Sequence, residues 1–243
     1  MARRHYMRPE TALGRGRPTR RPRESILIVC EGAETEPNYF KSLRRAISLS
    51  LLEVEIVGEG AEIVRVVDEA IRLREERATE SEESIRLAPF DEVWCVVDTE
   101  CRNDNPSWKR GVDRSKANGL KLAWSNPCFE FWLLLHFERI GRSFDGYARV
   151  RRFLTRHIRH YEKSMDYFEQ IAPRIPTAIE HSKQIHRSQW QDTPNAIDCN
   201  PGTTVHELVE RLMLVAGMTI EQYQASFPLP DTAPPKGKRA RRS

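Results

Sequence analysis

Two clusters of carboxylates, each placed directly after an apolar run, are the residues of this chain best suited to chemistry. The run Glu31-Gly-Ala-Glu-Thr-Glu36 follows the apolar residues 26–30, and Asp98-Thr-Glu100 follows the apolar residues 93–97. Such apolar runs are typical of strands buried in a parallel sheet, and open α/β sheets place their active sites at the carboxyl ends of their strands. Mg²⁺ prefers carboxylate and water oxygens together with substrate phosphate. The two clusters therefore predict a divalent-metal site.

The acids of this predicted site differ in the roles they could take. Asp98 and Glu100 are predicted metal ligands, although neighbouring strand side chains point alternately, so the backbone must turn at once for both to face one ion. Glu31 could ligate the same ion or transfer protons in phosphodiester cleavage, or simply face water. Glu36 is a candidate catalytic residue, or only a helix-start carboxylate favoured by the helix dipole.

A further acid, Glu130, lies in an apolar run that begins after Asn126 and Pro127. Asn126 as cap and Pro127 at the first position predict the start of a helix here. Since that helix is apolar nearly all round, Glu130 is expected to be buried and to need a partner or a metal. It is either catalytic or a structural partner of a backbone amide or Lys163. His136, later in the run, is expected to be a core histidine rather than a ligand.

The elements that must position these residues alternate between strand and helix. Strands are predicted at residues 25–30, 52–57, 90–97 and 120–124, with helices after the first and second. Further helices are predicted near residues 147–157, 166–171, 175–191 and 205–215. The order predicts an α/β core at 24–140 with a mostly parallel four-stranded sheet flanked by helices, and a helical C-terminal portion at 141–218 packed on it.

Basic residues are concentrated in the two ends of the chain. Residues 1–23 contain eight arginines and residues 236–243 contain five basic residues, while residues 24–235 hold 26 basic against 34 acidic residues. Residues 1–23 and the Pro-rich, basic residues 219–243 are therefore expected to be disordered tails. They either bind phosphate backbones without sequence preference or serve only as solubilising extensions.

Basic residues within the body are candidates for holding nucleic acid. Those after the second acid cluster could bind substrate phosphates, or belong to a solvated loop. The candidates for nucleic-acid binding are Arg102, Lys109, Arg110, Arg114 and Lys163.

Several classes of protein are excluded or disfavoured by what the sequence lacks. No run approaches the roughly 20 apolar residues of a membrane span. The five cysteines are odd in number and form no C-x-x-C pair, which favours a reducing cytoplasm and argues against a cysteine-rich zinc site. No G-x-x-x-x-G-K-[ST] occurs, so this chain is not expected to hydrolyse ATP itself.

Five blocks of polar and aromatic residues occur along the chain. They are Glu31-Gly-x-x-Thr-Glu36, Asp98-x-Glu100, Ser125-Asn-Pro-x-Phe-Glu-x-Trp-Leu-Leu-Leu-His-Phe137, Tyr161-x-Lys163 and Asn200-Pro-x-Thr-x-Val205. In their order and rough spacing, these blocks resemble those of RloB-like proteins. The resemblance covers about residues 25–215. It implies a Toprim-like fold, the metal-dependent domain of topoisomerases, primases and some nucleases. Toprim domains usually place a glutamate after the first strand and D-x-D after the third, where this chain has Glu100 as the second acid.

The resemblance also implies a role in bacterial anti-phage defence, beside a partner ATPase of the ABC or SMC type. We therefore expect a cytoplasmic, Mg²⁺-dependent nuclease acting on DNA or RNA, with Mn²⁺ as a possible substitute. The alternatives are a non-catalytic subunit that binds the ATPase or nucleic acid, and a primase-like or nucleotide-handling use of the same acids.

Overall fold

The computed structural model describes residues 24–50, 52–56, 62–83, 87–100, 106–189 and 198–229. The N-terminal tail predicted at 1–23, Arg102 and residues 230–243 of the predicted C-terminal tail lie outside the described residues. Within the described part of the chain, no helix is long and apolar enough to cross a membrane.

Four parallel strands form the centre of the fold. They are β1 (Ile26–Cys30), β2 (Leu52–Ile56), β3 (Glu92–Asp98) and β4 (Lys121–Asn126). A two-residue strand, β5 (Gly202–Thr203), pairs antiparallel with the end of β4 and gives the sheet order β2-β1-β3-β4-β5. The predicted α/β fold with a mostly parallel four-stranded sheet is confirmed, and β5 is an addition that the sequence analysis did not foresee.

Helices follow the strands and then make up most of the C-terminal part. Those connecting the strands have apolar residues at helical spacing, as in the second helix, where Ile63, Val66, Val67, Ala70 and Ile71 are buried. The helices are α1 (Thr35–Ala46), α2 (Ile63–Glu83), α3 (Pro106–Ala117), α4 (Glu130–Leu135), α5 (Tyr147–Leu154), α6 (Phe168–Ile171), α7 (Ile175–Gln189), α8 (Val205–Val215) and α9 (Ile220–Ser226).

The sheet separates two hydrophobic cores because successive strand residues face opposite sides. Ile26, Ile28 and Cys30 pack in the larger core with α1, α4 and the C-terminal helices. Leu27 and Val29 pack in the smaller core with α2 and α3. Both faces of the sheet are therefore covered, which explains the continuous apolar character of β1 and β3.

Two segments differ in detail from the sequence-based expectation. The helix predicted to start at Asn126 and Pro127 begins at Glu130, because Asn126 is still a strand residue paired with Gly202 of β5. Residues 220–226, placed in the predicted tail, form α9. A capping box between Thr219 and Gln222 starts that helix, and its Tyr223 is buried in the larger core.

The strand order creates a crevice at one place on the sheet. The chain leaves β1 toward β2 on one side, whereas β3 lies on the other side of β1. The loops that follow β1 and β3 therefore diverge, and open α/β sheets bind ligands at such a point. The predicted acids stand at these two strand ends.

Candidate active site

Glu31 and Asp98 are brought together at the carboxyl ends of β1 and β3. The backbone N–H of Glu31 donates to the carbonyl of Val96 at 3.0 Å, which extends the pairing of the two strands by one residue. The Glu31 carboxylate in turn accepts a hydrogen bond from the backbone N–H of Asp98 at 3.0 Å. The sheet register itself thus sets the position of both acids.

Asp98 combines burial with an unsatisfied oxygen. Its Oδ1 is buried and accepts no hydrogen bond from the described residues. Burial, followed by the negative charges of Glu36, Glu31 and Glu130, raises the pKa of Asp98 well above its usual range, against a hydrogen bond from the backbone of Phe129. A buried carboxylate oxygen without a donor is costly unless a cation or proton satisfies it.

Glu36 lies in the first turn of α1 and is only 6% exposed. Burial raises its pKa to about 7, and the charges of Glu130 and Glu31 act in the same direction, whereas Lys163 opposes them. Gly32 passes so close that a Cβ at that position would overlap the Glu36 carboxylate. The glycine of the Glu-Gly pair therefore provides the space in which Glu36 is buried.

Glu130 begins α4 and is 2% exposed. Tyr161 donates its hydroxyl hydrogen to Glu130 Oε1 at 3.0 Å, and the Thr35 hydroxyl lies 3.5 Å from the same oxygen and 3.2 Å from Tyr161. These hydroxyls are hydrogen-bond partners of the buried carboxylate, whereas the sequence analysis named a backbone amide or Lys163. They join the start of α1 and the start of α4 to the segment after α5.

Lys163 lies beside these carboxylates. Burial disfavours its charge, but Glu130 first, and then Tyr147, Glu36 and Asp98, raise its pKa above the ordinary value. Its ammonium nitrogen lies 4.8 Å from the centre of the Tyr147 ring. The residue expected to contact nucleic acid is therefore also the cation of the acidic site.

Four other predicted site residues are exposed to solvent. Glu100 is exposed, with a positive φ of 52° and its backbone N–H bonded to the carbonyl of Pro127. Lys109 and Arg110 are exposed on α3, and Arg114 forms an ion pair with Asp68 of α2.

His136 lies in the larger core rather than at the acidic site. It is fully buried, and its Nδ1 hydrogen is shared between the carbonyls of Trp132 and Leu133, at 3.0 and 3.2 Å. Burial lowers the pKa of His136 to about 3. The ring is therefore neutral, and it packs edge-on against Trp132 and Tyr39.

Sequence reasoning assigned no role at the site to Tyr161 or Thr35, although both contact Glu130. Tyr161 lies 31 residues after Glu130, so nothing in the local sequence connects them. A signal was present in the Tyr161-x-Lys163 block, since two polar residues with one residue between them can serve the same site.

The acids Glu31, Glu36, Asp98 and Glu130 form what we call the acidic site, with Lys163 as its neighbouring cation. The unsatisfied Asp98 Oδ1 and the oxygen-rich set of side chains fit a hard dication. Among the described residues, no three ligand atoms of this site lie within 4.8 Å of one another. The arrangement thus fits an ion held by one or two carboxylates, with water and substrate completing its coordination, rather than a closed protein cage.

Comparisons with curated proteins and with solved structures returned no match. The model of a protein family, described as RloB-like protein, matches residues 26–212. That match includes all four carboxylates of the acidic site, Tyr161 and Lys163, and it covers more than half of the chain. The chain therefore belongs to the RloB-like family.

Proposed function

We propose that this protein is a metal-dependent nuclease that cleaves phosphodiester bonds of DNA or RNA, with Mg²⁺ as its metal and Mn²⁺ as a substitute. The observation that carries the proposal is the meeting of Glu31 and Asp98, at the ends of β1 and β3, with Glu36 of α1 and Glu130 of α4. Carboxylates this close repel one another and destabilise the protein unless a proton or cation intervenes. A subunit that only binds a partner has no need of such an arrangement.

Asp98 and Glu31 are the proposed metal ligands, since they are held in fixed positions by the paired ends of β1 and β3. A bound Mg²⁺ supplies charge stabilisation at the phosphoryl oxygens and lowers the pKa of water in its coordination sphere. Glu100, the third ligand expected from the sequence, is exposed and is not needed for the proposed site.

Glu36 is the proposed proton-transfer residue. Its pKa of about 7 matches the value at which a general acid or base works best near neutral pH. Glu130 does not need to react: its carboxylate accepts a hydrogen bond from the Tyr161 hydroxyl and attracts Lys163 to the edge of the site. Lys163 is exposed and can place its ammonium on a substrate phosphate.

A run of exposed arginines on α5 supports a polyanionic substrate. Arg149, Arg151 and Arg152 are all exposed, and Arg151 donates to the carbonyl of Tyr161 at 3.3 Å. This surface therefore adjoins the acidic site through Tyr161. Arginines so placed can neutralise backbone phosphates without reading sequence.

The proposed function also includes a role in defence against phage. A glutamate after the first strand and an aspartate after the third agree with the Toprim pattern that the family resemblance implies. We propose accordingly a Toprim-like nuclease of an anti-phage defence system in the bacterial cytoplasm, working beside an ABC- or SMC-type ATPase.

One observation favours a second candidate, a non-catalytic subunit that binds the ATPase or nucleic acid. Among the described residues, no three ligand atoms of the acidic site lie within 4.8 Å of one another. A protein that had lost catalysis could retain such a loosened arrangement.

The deciding experiment uses the full-length protein with labelled DNA and with bulk tRNA, in Mg²⁺, in Mn²⁺ and in chelator. Asp98→Asn removes the charge with little change in volume, and Asp68→Asn on α2 is the matched control outside the acidic site. Metal-dependent cleavage that is lost in Asp98→Asn and retained in Asp68→Asn supports the nuclease. Absence of cleavage with and without the ATPase, in a folded protein, favours the binding subunit.

A further inference from the structure

A second group of metal-ligating side chains lies on the far side of β4 from the acidic site. His186 comes from the last turn of α7, and His206 and Glu207 come from the first turn of α8. One ligand atom from each of the three lies within 4.8 Å of the other two. The two imidazole rings are perpendicular, with centroids 4.9 Å apart. We call these three residues the histidine cluster.

A backbone carbonyl determines which nitrogen of His186 carries the proton. His186 Nε2 lies 2.8 Å from the carbonyl oxygen of Thr203 in β5. Because a carbonyl can only accept, Nε2 must be the donor, and the lone pair of the neutral ring is on Nδ1. Metal-bound histidines are typically oriented by such a bond from their other ring nitrogen.

Ser182 orients His206 in the same way. Its hydroxyl donates to the same Thr203 carbonyl at 3.0 Å, so its oxygen accepts from His206 Nδ1, also at 3.0 Å. The lone pair of His206 is therefore on Nε2. One carbonyl, directly and through Ser182, thus sets the tautomers of both rings, and Glu207 on the neighbouring position of α8 adds an anionic oxygen.

We propose that the histidine cluster binds a transition-metal dication, with Zn²⁺ as the ion expected first. Two imidazoles suit Zn²⁺ and its neighbours in the first transition row, whereas Mg²⁺ and Ca²⁺ prefer all-oxygen ligands. Two histidines and one glutamate are also a recognised zinc donor set, with a fourth position filled by water. The ion ties the end of α7 to the start of α8 beside β5. This inference is independent of the proposed nuclease activity.

The test is a titration of the chelator-treated full-length protein with Zn²⁺ by calorimetry, and with Co²⁺ by visible absorption as a report of coordination. We expect one tight equivalent in the native protein. His186→Gln and Glu207→Gln each remove one ligand and should weaken binding by about 100-fold or more. Ser182→Ala, which removes only the orienting hydroxyl, should weaken it by roughly 10- to 100-fold.

Two control variants should leave the affinity unchanged. His160→Asn removes an exposed histidine outside the cluster, in a left-handed backbone conformation that Asn tolerates. Asp98→Asn alters the acidic site, so Zn²⁺ binding that is retained in this variant shows that the ion is held by the histidine cluster. As a second readout, Zn²⁺ should raise the melting temperature of the native protein and not that of His186→Gln.

The proposal is overturned if the native protein binds neither Zn²⁺ nor Co²⁺ more tightly than the His186→Gln variant does. It is equally overturned if His186→Gln and Glu207→Gln, shown to be folded by circular dichroism, keep the native stoichiometry and affinity.

Discussion

The α2–α3 surface and the acidic site contain the same types of charged side chain, but they differ in exposure and in pairing. On α2, Arg72 pairs with Glu69 and Glu76, and Asp68 pairs with Arg114 of α3. These side chains are largely exposed to solvent. At the carboxyl ends of β1 and β3, by contrast, four carboxylates are gathered with Lys163 as the neighbouring cation.

The difference shows that an arrangement of charges suited to binding a ligand can lower the stability of the ligand-free protein. An exposed ion pair has both a partner and water, so removing one member changes stability by about 1 kcal/mol or less. Burial deprives the carboxylates of the acidic site of water, and their neighbours are mostly of the same sign. These two effects lower the free energy of unfolding of the protein without a ligand. Such a cost is typical of sites completed by a ligand.

Replacing the central acid should give the largest effect. We expect Asp98→Asn to lower metal-dependent cleavage by at least about 1000-fold, since a catalytic metal contributes several kcal/mol of transition-state stabilisation. The same variant should be more stable than the native protein without metal, because a buried like charge is removed. Single-turnover cleavage and urea unfolding measure the two effects. Loss of stability together with activity would mean that Asp98 is a structural residue.

Burial of Glu36 predicts an unusual dependence of stability on pH. Its pKa is near 4 in the unfolded chain and about 7 in the folded one, so the folded state binds the proton more tightly. The contribution of Glu36 to the free energy of unfolding is therefore complete at pH values below its unfolded pKa. It is lost as pH rises through its folded pKa, and the loss amounts to up to about 3 kcal/mol. Urea unfolding between pH 4 and pH 8 should show this fall, and it should be much smaller in Glu36→Gln. Saturating Mg²⁺ should reduce it as well, since a bound cation favours the ionised form.

Removing the hydroxyl of Tyr161 tests the hydrogen bond to Glu130. Tyr161→Phe keeps the ring, which packs 5.4 Å from that of Tyr167, but removes the closer of the two hydroxyls that contact the buried Glu130 carboxylate. We expect a loss of about 1–3 kcal/mol in the free energy of unfolding. Tyr147→Phe, at a partly exposed ring nearby, is the matched control and should change stability much less. Equal effects of the two substitutions would argue against the Tyr161–Glu130 bond.

The paired surface should give the smallest effect. Arg114→Ala breaks an ion pair whose side chains are 51% and 48% exposed. We expect a change of at most about 1 kcal/mol in stability and unchanged cleavage. A large loss of nucleic-acid affinity in this variant would instead support the role in nucleic-acid binding that the sequence analysis proposed for Arg114.

The sequence was sufficient for the parts of the site that depend on local pattern. β1 and β3 could be predicted because their apolar runs are continuous, and parallel strands bring their carboxyl ends to one edge, which placed Glu31 and Asp98. The burial of Glu36 could not be predicted, since a glutamate in a first helical turn is ordinarily solvated. The same holds for Tyr161, whose bond to Glu130 depends on how the segment after α5 folds back.

Two local signals were ambiguous for physical reasons. Asn126 and Pro127 have the residue types of a helix start, yet the pairing of Asn126 with β5 makes it a strand residue. β5 itself has only two residues, too few for any alternation of polar and apolar side chains to be visible.

That short strand also bears on how the folded protein behaves at high concentration. An unpaired sheet edge is a template on which a second molecule can add a strand and begin to aggregate. Here the outer N–H and carbonyl of Trp124 in β4 are bonded to the Oγ1 and N–H of Thr204, at 3.0 and 2.9 Å. The Thr203 carbonyl of β5 is covered in turn by Ser182 and His186. Two threonines and a helix thus close this side of the sheet to edge-to-edge association.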